Sequence, residues 1–299
     1  MSYTLHQLKV FYTVSNCGSY TKAAQQLGLQ QPTVSEQVST LEKTFGLDLI
    51  ERIHGGLRLT DAGKVLYQSV QQVLGVSDDL GRVVEQLRGQ SAGTVRVCAD
   101  TTVGTSAIPD VISKFQRLHS SIQIILEVVN RAKVIERLEE GKVDLAVMGR
   151  PPDLRGLEVE IFLPNELLMV ASVRHRLAYQ LKLPLSAISE ERFLVRESGS
   201  GTRTALIELL EASGIKPKIA MVLSHNEAIK QAVIADLGIA LMSRNVLEQE
   251  LKLGLMTNLD LEGLPIIRRW HVVSPPGKLV SPATREFRQF LKNYQPNLK

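Results

Sequence analysis

The chain contains little cysteine and no long apolar run. Its two cysteines, Cys17 and Cys98, are too few for a disulfide framework, and we expect both to be buried thiols in a reducing compartment. Every apolar run is far shorter than the roughly 20 residues that a membrane-spanning helix needs. The sequence opens without a basic and then apolar leader, which favours a cytoplasmic protein with no membrane partner.

A clear excess of charge of one sign is also lacking. The formal net charge is +4, but residues 1–90 contain eight basic and eight acidic residues. The net charge therefore gives no evidence for nucleic-acid binding, and such evidence can come only from the placement of individual side chains. Hydrophobic residues make up 44% of the chain and charged residues 22%, which is the composition of a folded protein and excludes intrinsic disorder. A length of 299 residues indicates about two domains.

The first 60 residues have the pattern of short helices broken by tight turns. A capping box at Thr4 opens the first helix, and Gly28 ends the second. A third helix begins near Pro32, because proline suits the first turn of a helix. Residues 49–53 and 57–60 then flank a glycine-containing tip and predict a β-hairpin. A helix-turn-helix followed by a hairpin is the plan of a winged DNA-binding domain.

A long helix is predicted from residue 61 to about residue 88. Seven positions, 66, 70, 73, 77, 80, 84 and 87, follow one another along it in alternating steps of four and three. Six of them are apolar and the seventh is Ser77, which is the spacing of a helix that packs against another helix. Three heptads are few, so packing of this helix against its own domain stays an alternative, although we favour a dimer helix. Residues 89–93 have the composition of a flexible hinge. The expected dimer contacts are Leu66, Val70, Val73, Leu80, Val84 and Leu87.

From residue 94 onward, apolar strands alternate with helices. Stretches rich in β-branched residues at 94–99 and 122–129 flank a helix near 107–117, and the same alternation continues to about residue 273. It is typical of a mostly parallel sheet whose faces are covered by helices, so the fold class is α/β. About 200 residues of this pattern form either one large sheet or two subdomains with a cleft.

Several segments carry a specific resemblance to a known family. They read AAQQL at 23–27, QPTVS at 31–35, GLDLIER at 46–52 and LTDAG at 59–63. The order and spacing of these segments, and the total length of the chain, resemble those of the LysR-type transcriptional regulators. That resemblance implies a DNA-binding homodimer, commonly paired into a tetramer, whose targets are pseudo-palindromic promoter sites.

The resemblance also implies a domain arrangement. An effector domain of two Rossmann-like lobes, similar to a type-2 periplasmic binding protein, follows the winged helix-turn-helix and the linker helix. Lobe I receives the last strand and helix of the chain. The expected bounds are 1–60 for the winged domain, 61–90 for the linker helix and 91–299 for the effector domain, with lobe I at about 91–164 and 268–299 and lobe II at about 165–267.

Further segments resemble the carbon-fixation branch of that family. They are MGRPP at 148–152, RESGSGTR at 196–203, SHNEAIK at 224–230, LEGLP at 261–265 and RRW at 268–270. The resemblance implies an activator of RuBisCO, Calvin-cycle or inorganic-carbon-uptake operons. It also implies a small phosphorylated or carboxylated metabolite as effector. A regulator of another metabolic operon is the alternative.

Amide and hydroxyl side chains cluster at the start of the third helix. Amide side chains offer a donor and an acceptor to adenine, while hydroxyls and free helix N–H groups bind phosphate oxygens. The alternative is that Thr33 and Ser35 only cap and solvate the helix. On the same helix, Glu36 either accepts from a cytosine N4 or is solvated, and we favour solvation. Hairpin side chains are placed to meet phosphate or a minor groove. The predicted DNA contacts are Gln30, Gln31, Pro32, Thr33, Ser35, Gln37, Arg52 and His54.

Residues 198–203 combine glycines and hydroxyls just before a predicted helix, a pattern that suits an anion although it is more often a plain turn. Arg203 would add a charge-assisted contact to carboxylate or phosphate. Thr101 and Thr102 form a second polar cluster at a strand end, where ligands of doubly wound sheets collect. The family resemblance places both clusters on opposing lips of a cleft. The predicted effector contacts are Thr101, Thr102, Asn130, Arg131, Arg150, Ser198, Ser200, Gly201, Thr202, Arg203 and Asn226.

Catalytic motifs are missing from the sequence. Residues 196–203 depart from a P-loop at three of its four defining positions, and Ser200 lacks the preceding glycine of a nucleophile elbow. The six histidines show no metal-ligand spacing, so we predict no enzyme activity, no cofactor and no metal site. A solute-binding protein is one alternative, which would explain a cleft but would leave residues 1–90 without a function. A biosynthetic enzyme is another, and it would have to use residues 198–203 to bind an anionic substrate. The predicted partners are promoter DNA, a small anionic metabolite, a second copy of the chain and RNA polymerase.

Overall fold

The computed structural model describes residues 2–53, 56–87, 93–154, 156–275 and 280–295. The chain divides into two compact units, Met1–Gly89 and Gln90–Lys299, and each is described by itself. Among the described residues, no helix combines the length and the apolar character needed to cross a bilayer. The predicted hinge at 89–93 lies outside the described residues except for Gly93.

The first unit is a three-helix cluster followed by a hairpin and a long helix. Its elements are α1 (Leu5–Cys17), α2 (Tyr20–Leu27), α3 (Gln31–Phe45), β1 (Ile50–Ile53), β2 (Gly56–Leu59) and α4 (Asp61–Leu87). At the start of α1, the Thr4 hydroxyl accepts from the Gln7 N–H at 3.2 Å, and the Gln7 side chain accepts from the Thr4 N–H at 2.9 Å. The strands β1 and β2 pair antiparallel, with Ile50 opposite Leu59. This arrangement confirms the predicted winged helix-turn-helix.

Two apolar cores hold the first unit together. The helix-turn-helix core contains Val10, Val14, Ala23, Ala24, Val34 and Val38. The second core joins α4 to α1, because Val70 packs with Phe11 and Leu41. The Tyr67 hydroxyl of α4 also donates to the Asn16 side chain at 2.6 Å. The first half of α4 is therefore fixed on the helices that precede it.

The second unit alternates strands and helices. Its strands are β3 (Thr94–Asp100), β4 (Gln123–Val129), β5 (Leu145–Met148), β6 (Glu158–Ser172), β7 (Arg192–Arg196), β8 (Lys218–Leu223), β9 (Ala240–Ser243), β10 (Met256–Asn258) and β11 (Ile266–Ser274). Its α-helices are α5 (Thr101–Ser106), α6 (Ile108–Leu118), α7 (Arg131–Glu139), α8 (Gly201–Ala212), α9 (Asn226–Ile234), α10 (Glu248–Lys252) and α11 (Pro282–Asn293).

The main sheet of this unit is mixed, whereas the sequence predicts a mostly parallel one. Its order is β10-β6-β11-β5-β3-β4, with β9 also paired to β6. Strands β3, β4 and β5 are parallel, but β11 runs antiparallel to both β5 and β6. Strands β7 and β8 form a separate parallel pair. The α/β class is confirmed. The antiparallel strands were not predicted, because the alternation of side chains along a strand does not show in which direction the strand runs.

Two long strands connect two separate cores, and these cores define the two lobes. Lobe I is built around Phe115, Trp270 and Phe287, and lobe II around Phe193 and its neighbours. Along β6, Leu163 belongs to the first core and Leu167 to the second. Along β11, Ile266 packs on the second core and Trp270 in the first. The segments between these residues join the lobes.

Candidate functional site

A cavity of about 130 Å³ lies between the two lobes of the second unit. It collects the carboxyl ends of several strands: Asp100 ends β3, Asn130 follows β4, Gly149 follows β5 and Arg196 ends β7. Helices α5, α7 and α8 begin at the same wall. In sheets of this kind, strand ends and helix N-termini provide backbone N–H groups to a bound anion.

Most of the predicted effector contacts lie together at this cavity. Eight of them line it, namely Thr101, Thr102, Asn130, Arg131, Arg150, Ser200, Gly201 and Thr202. Ser198, Arg203 and Asn226 are not among its lining residues. The Arg203 guanidinium donates instead to the Arg196 carbonyl at 3.1 Å, because its position on α8 directs it back to β7. The Asn226 side chain contacts Arg196 rather than the cavity itself.

Nine further residues that line the cavity were not predicted from the sequence. They are Asp100, Gly149, Asn165, Leu167, Arg196, Thr204, Glu208, Arg268 and Trp270. The polar residue Asp100 at the end of the first strand could have been found by the same rule that found Thr101. Asn165, Arg268 and Trp270 stand inside β6 and β11, where no local pattern marks a binding residue. Their place at the cavity depends on the crossing of these strands between the lobes.

Arg196 is a buried cation that ties the lobes together. Its side chain is 3% exposed and holds Glu197 through two hydrogen bonds, at 2.8 and 3.1 Å. It also donates to the Asn226 amide oxygen at 2.7 Å and to the Thr101 hydroxyl at 3.3 Å. Thr101 belongs to lobe I and the other three residues to lobe II. One guanidinium therefore spans the cleft.

A second set of cations in the cavity wall surrounds Glu208. The Glu208 carboxylate accepts from Arg150 at 3.3 Å through one oxygen and from Arg268 at 3.0 Å through the other. The Arg131 side chain donates to the Arg150 carbonyl at 2.8 Å. Burial, and next the positive charge of Arg150, lower the pKa of Arg131. Arg150 and Arg268 thus share one carboxylate of the protein, and Arg131 lies beside Arg150.

Asp100 is the other acidic group of the cavity wall. Burial raises its pKa, and the Gly149 N–H, which donates to it at 2.8 Å, partly opposes that rise. The Val103 N–H donates to its other oxygen at 3.3 Å. These contacts make Asp100 the cap of α5 and connect β3 to the chain after β5.

The lobes also meet through their backbones. The Ala132 N–H donates to the Gly199 carbonyl at 3.2 Å. At Gly199 the backbone has a φ of +85°, and a Cβ there would stand 2.8 Å from the Ala132 Cβ. Only glycine permits both this conformation and this approach.

The predicted DNA contacts of the first unit lie on exposed and half-exposed positions. Gln30, Gln31 and Pro32 are exposed at the start of α3, while Thr33, Ser35 and Gln37 are half-buried along it. The Gln30 side chain makes no cap hydrogen bond with the first turn of α3. Arg52 is exposed at the hairpin, and His54 lies outside the described residues. Glu36 is exposed on the same helix.

The predicted dimer contacts divide into three groups. Val70 is buried in the core of the first unit, and Leu66 packs partly against it. Val73 and Leu80 are exposed, with Leu80 at 55%. Val84 and Leu87 lie on α4, but their side chains are outside the described part of the structure. The start of α4 thus packs on its own unit, whereas Val73 and Leu80, further along the helix, are exposed.

Comparisons with known proteins cover both units. Residues 5–64 match the bacterial regulatory helix-turn-helix family of the lysR type, and residues 88–296 match the LysR substrate binding domain. A RuBisCO operon transcriptional regulator of Allochromatium vinosum is 38% identical over 291 residues, which are 97% of this chain and 96% of that protein. The transcriptional activator CmpR of Synechocystis is 36% identical, over 96% of this chain and 94% of its own.

A solved structure resembles the second unit. It is the regulatory domain of CcmR from Synechocystis PCC6803 in complex with 2-PG, at 32% identity and a TM-score of 0.66, covering 69% of this chain and 99% of that one. Both family models together span nearly the whole sequence, and the relatives align along almost their full length. The chain belongs to the LysR family of DNA-binding transcriptional regulators.

Proposed function

We propose that this regulator activates genes of carbon fixation or inorganic-carbon uptake when a small anion carrying phosphate or carboxylate binds between its lobes. The observation that carries the proposal is the convergence of Arg131, Arg150, Arg196 and Arg268 on one cavity that also holds the N-terminus of α8. Cations and inward N–H groups together favour an anion. The relatives named above supply the gene class, and CcmR supplies a ligand of matching character.

The size of the cavity favours a small ligand. A volume of about 130 Å³ is below the roughly 300–1,000 Å³ of pockets for drug-sized ligands, which favours an anion of a few functional groups. Ligand contacts to both lobes would stabilise one mutual orientation of the lobes over another. Such differential affinity is required, because a ligand that binds both arrangements with equal affinity does not shift the equilibrium between them. The altered arrangement then changes how the oligomer bends promoter DNA, at a cost of about 1–6 kcal/mol.

The test uses the full chain and the single tryptophan, Trp270, which lines the cavity. Titration with 2-phosphoglycolate is expected to change its fluorescence and to give a saturable heat in calorimetry. Footprinting is expected to show a protected promoter upstream of carbon-fixation genes, with a pattern that changes on adding the ligand. A protein that protects no such promoter under any condition would contradict the gene assignment, and one that binds no phosphorylated or carboxylated anion would contradict the effector assignment.

A regulator of a different metabolic operon is the second candidate. The same cavity accepts other small anions, so calorimetry with 2-oxoglutarate and ribulose-1,5-bisphosphate belongs to the same experiment. Preference for 2-oxoglutarate by tenfold or more over both phosphorylated ligands, a difference of about 1.4 kcal/mol, together with no protected promoter upstream of carbon-fixation genes, would favour it. RNA polymerase is proposed as a further partner at the promoter, where an activator must act.

The DNA contacts proposed for α3 and the hairpin are Gln30, Gln31, Pro32, Thr33, Ser35, Gln37, Arg52 and His54. Their exposure or partial exposure, except for His54, which lies outside the described residues, supports a groove-facing surface. Binding should weaken steeply with salt, because contacts to phosphate release counterions.

Replacing Leu80 by Asp is expected to weaken the dimer. Leu80 is 55% exposed, lies seven residues along the apolar stripe from Val73, and would be covered by the second copy. Loss of its apolar area from both copies and burial of two like charges should raise the dissociation constant of the dimer about 100-fold or more. Sedimentation velocity of the full chain measures this.

The matched control is Val65→Asp. Val65 is an exposed apolar residue of the same helix that does not belong to the predicted stripe. We expect this variant to remain dimeric at the concentrations where Leu80→Asp dissociates. Equal dimer strength in the two variants would contradict the assignment of the stripe to the dimer.

A further inference from the structure

Glu208 holds a place in the cleft that suits the carboxylate of a ligand. It lies on the face of α8 that also carries Gly201 and Thr204 to the cavity. One carboxylate oxygen accepts from Arg150 and the other from Arg268, at 3.3 and 3.0 Å. Each arginine makes a single hydrogen bond with it. A carboxylate is therefore already bound between two guanidinium groups, and it is part of the protein.

The exposure of these groups determines whether a ligand can take the place of Glu208. Arg150 is 73% exposed and Glu208 46%, so their ion pair is in contact with water and is weak. The pair of Arg196 with Glu197 is different, because Arg196 is buried and holds its partner through two hydrogen bonds. Of the two carboxylates, Glu208 is therefore the easier one for a ligand to displace. The exchangeable cations of the cavity are thus Arg150 and Arg268.

A further cation lies beside this ion pair. Arg131 lies next to Arg150, with its side chain on the Arg150 carbonyl, and Glu208 is the carboxylate that directly contacts the Arg150 and Arg268 side chains among the described residues. A ligand with a carboxylate and a phosphate would restore the contact that Glu208 gives up. Its second anionic group would then meet Arg131 and the first turn of α8, where Ser200, Gly201 and Thr202 line the wall.

We propose that Arg150 and Arg268 form a carboxylate subsite, and that Glu208 occupies this subsite until the carboxylate of the effector displaces it. The inference rests on the proposed function, since it takes the effector to bind in this cavity. Displacement costs part of the binding free energy of the effector. Glu208 thereby sets the effector concentration at which the regulator responds.

The test compares two ligands on the full chain by calorimetry. 2-Phosphoglycolate carries phosphate and carboxylate, whereas ethyl phosphate has the same phosphate ester and no carboxylate. In Glu208→Gln the subsite is free of its internal anion, so 2-phosphoglycolate should bind roughly tenfold tighter. Ethyl phosphate does not use the subsite, and its dissociation constant should change by less than about twofold.

Glu211→Gln is the matched control, because Glu211 is an exposed carboxylate on the same helix and does not line the cavity. It removes the same charge and should change the affinity of neither ligand by more than about twofold. Arg268→Gln provides the opposite change. It should weaken 2-phosphoglycolate about tenfold and leave ethyl phosphate nearly unaffected.

Several results would overturn the subsite. Weaker binding of 2-phosphoglycolate to Glu208→Gln would show that Glu208 positions the arginines instead of competing for them. An equal gain for both ligands would show a general effect of charge. If the unaltered chain binds 2-phosphoglycolate but Glu208→Gln leaves its affinity unchanged, the subsite is wrong while the proposed function stands. If the unaltered chain binds neither ligand nor any other carboxylated anion, the proposed function itself fails.

Discussion

Gly63→Ala is expected to lower the free energy of unfolding of the first unit by about 3 kcal/mol or more and to abolish DNA binding. A Cβ at Gly63 would stand 2.0 Å from the Leu49 carbonyl oxygen and 3.1 Å from the Leu59 side chain. That carbonyl accepts from the Thr60 N–H at 3.1 Å, so it cannot move away without losing a hydrogen bond. The change therefore separates α4 from the hairpin that it supports.

The cap of α4 makes the same place rigid. The Thr60 hydroxyl accepts from the Gly63 N–H at 3.0 Å and donates to the Asp48 carbonyl at 2.6 Å. A shift of Gly63 therefore disturbs the chain on both sides of the hairpin. Loss of the cap alone costs about 1 kcal/mol, and the steric overlap adds to it.

Gly75→Ala is the matched control on the same helix. A Cβ at Gly75 meets no atom within 4 Å, and alanine is the better helix former by about 1 kcal/mol. We expect this variant to be as stable as the unaltered chain or more so, and to bind the promoter normally. Thermal unfolding followed by circular dichroism, together with a gel-shift assay, measures both effects. A Gly63→Ala chain with unchanged stability would contradict the close contact.

Arg196→Met is expected to destabilise the second unit by about 3 kcal/mol and to remove its response to the effector. The change leaves Glu197 without the two hydrogen bonds that hold it, and it frees Asn226 and Thr101 from their shared partner. Breaking a buried ion pair costs about 3–5 kcal/mol, and the lower value applies because Glu197 stays in contact with water. Chemical denaturation and calorimetric titration with 2-phosphoglycolate measure the two losses.

Arg192→Met is the control for this change. Arg192 begins the same strand, β7, and its side chain is exposed. We expect its free energy of unfolding to stay within about 0.5 kcal/mol of that of the unaltered chain. If the two variants were equally stable and equally responsive, the contact of Arg196 across the cleft would have no role.

Local signals in the sequence predicted most of the first unit. The cap at Thr4 and the proline at position 32 act within one helical turn, so they can be recognised without knowledge of the fold. The a/d pattern of α4 was less informative. Val70 packs on its own unit while Leu80 is exposed, and a single apolar period cannot separate an intramolecular contact from an intermolecular one.

The cavity was predicted in part, and the reason lies in the strands. Residues that follow parallel strands, such as Asn130 and Thr101, were found because strand ends share one edge of a sheet. Arg268 and Asn165 were missed because they stand within antiparallel strands whose partners are distant in sequence. The expectation for Arg203 came from its place in a loop motif, but the direction of a helical side chain is fixed only once the helix is packed.

The position of β11 has a consequence for how the chain folds during its synthesis. This strand comes late in the sequence, yet it lies between β5 and β6 in the middle of the main sheet, and α11, which follows it, supplies Phe287 to the core of lobe I. During synthesis, the edges of β5 and β6 that pair with β11 stay unpaired until β11 has left the ribosome, and such edges invite aggregation. A nonsense codon before residue 266 would thus yield an insoluble product rather than a shortened regulator.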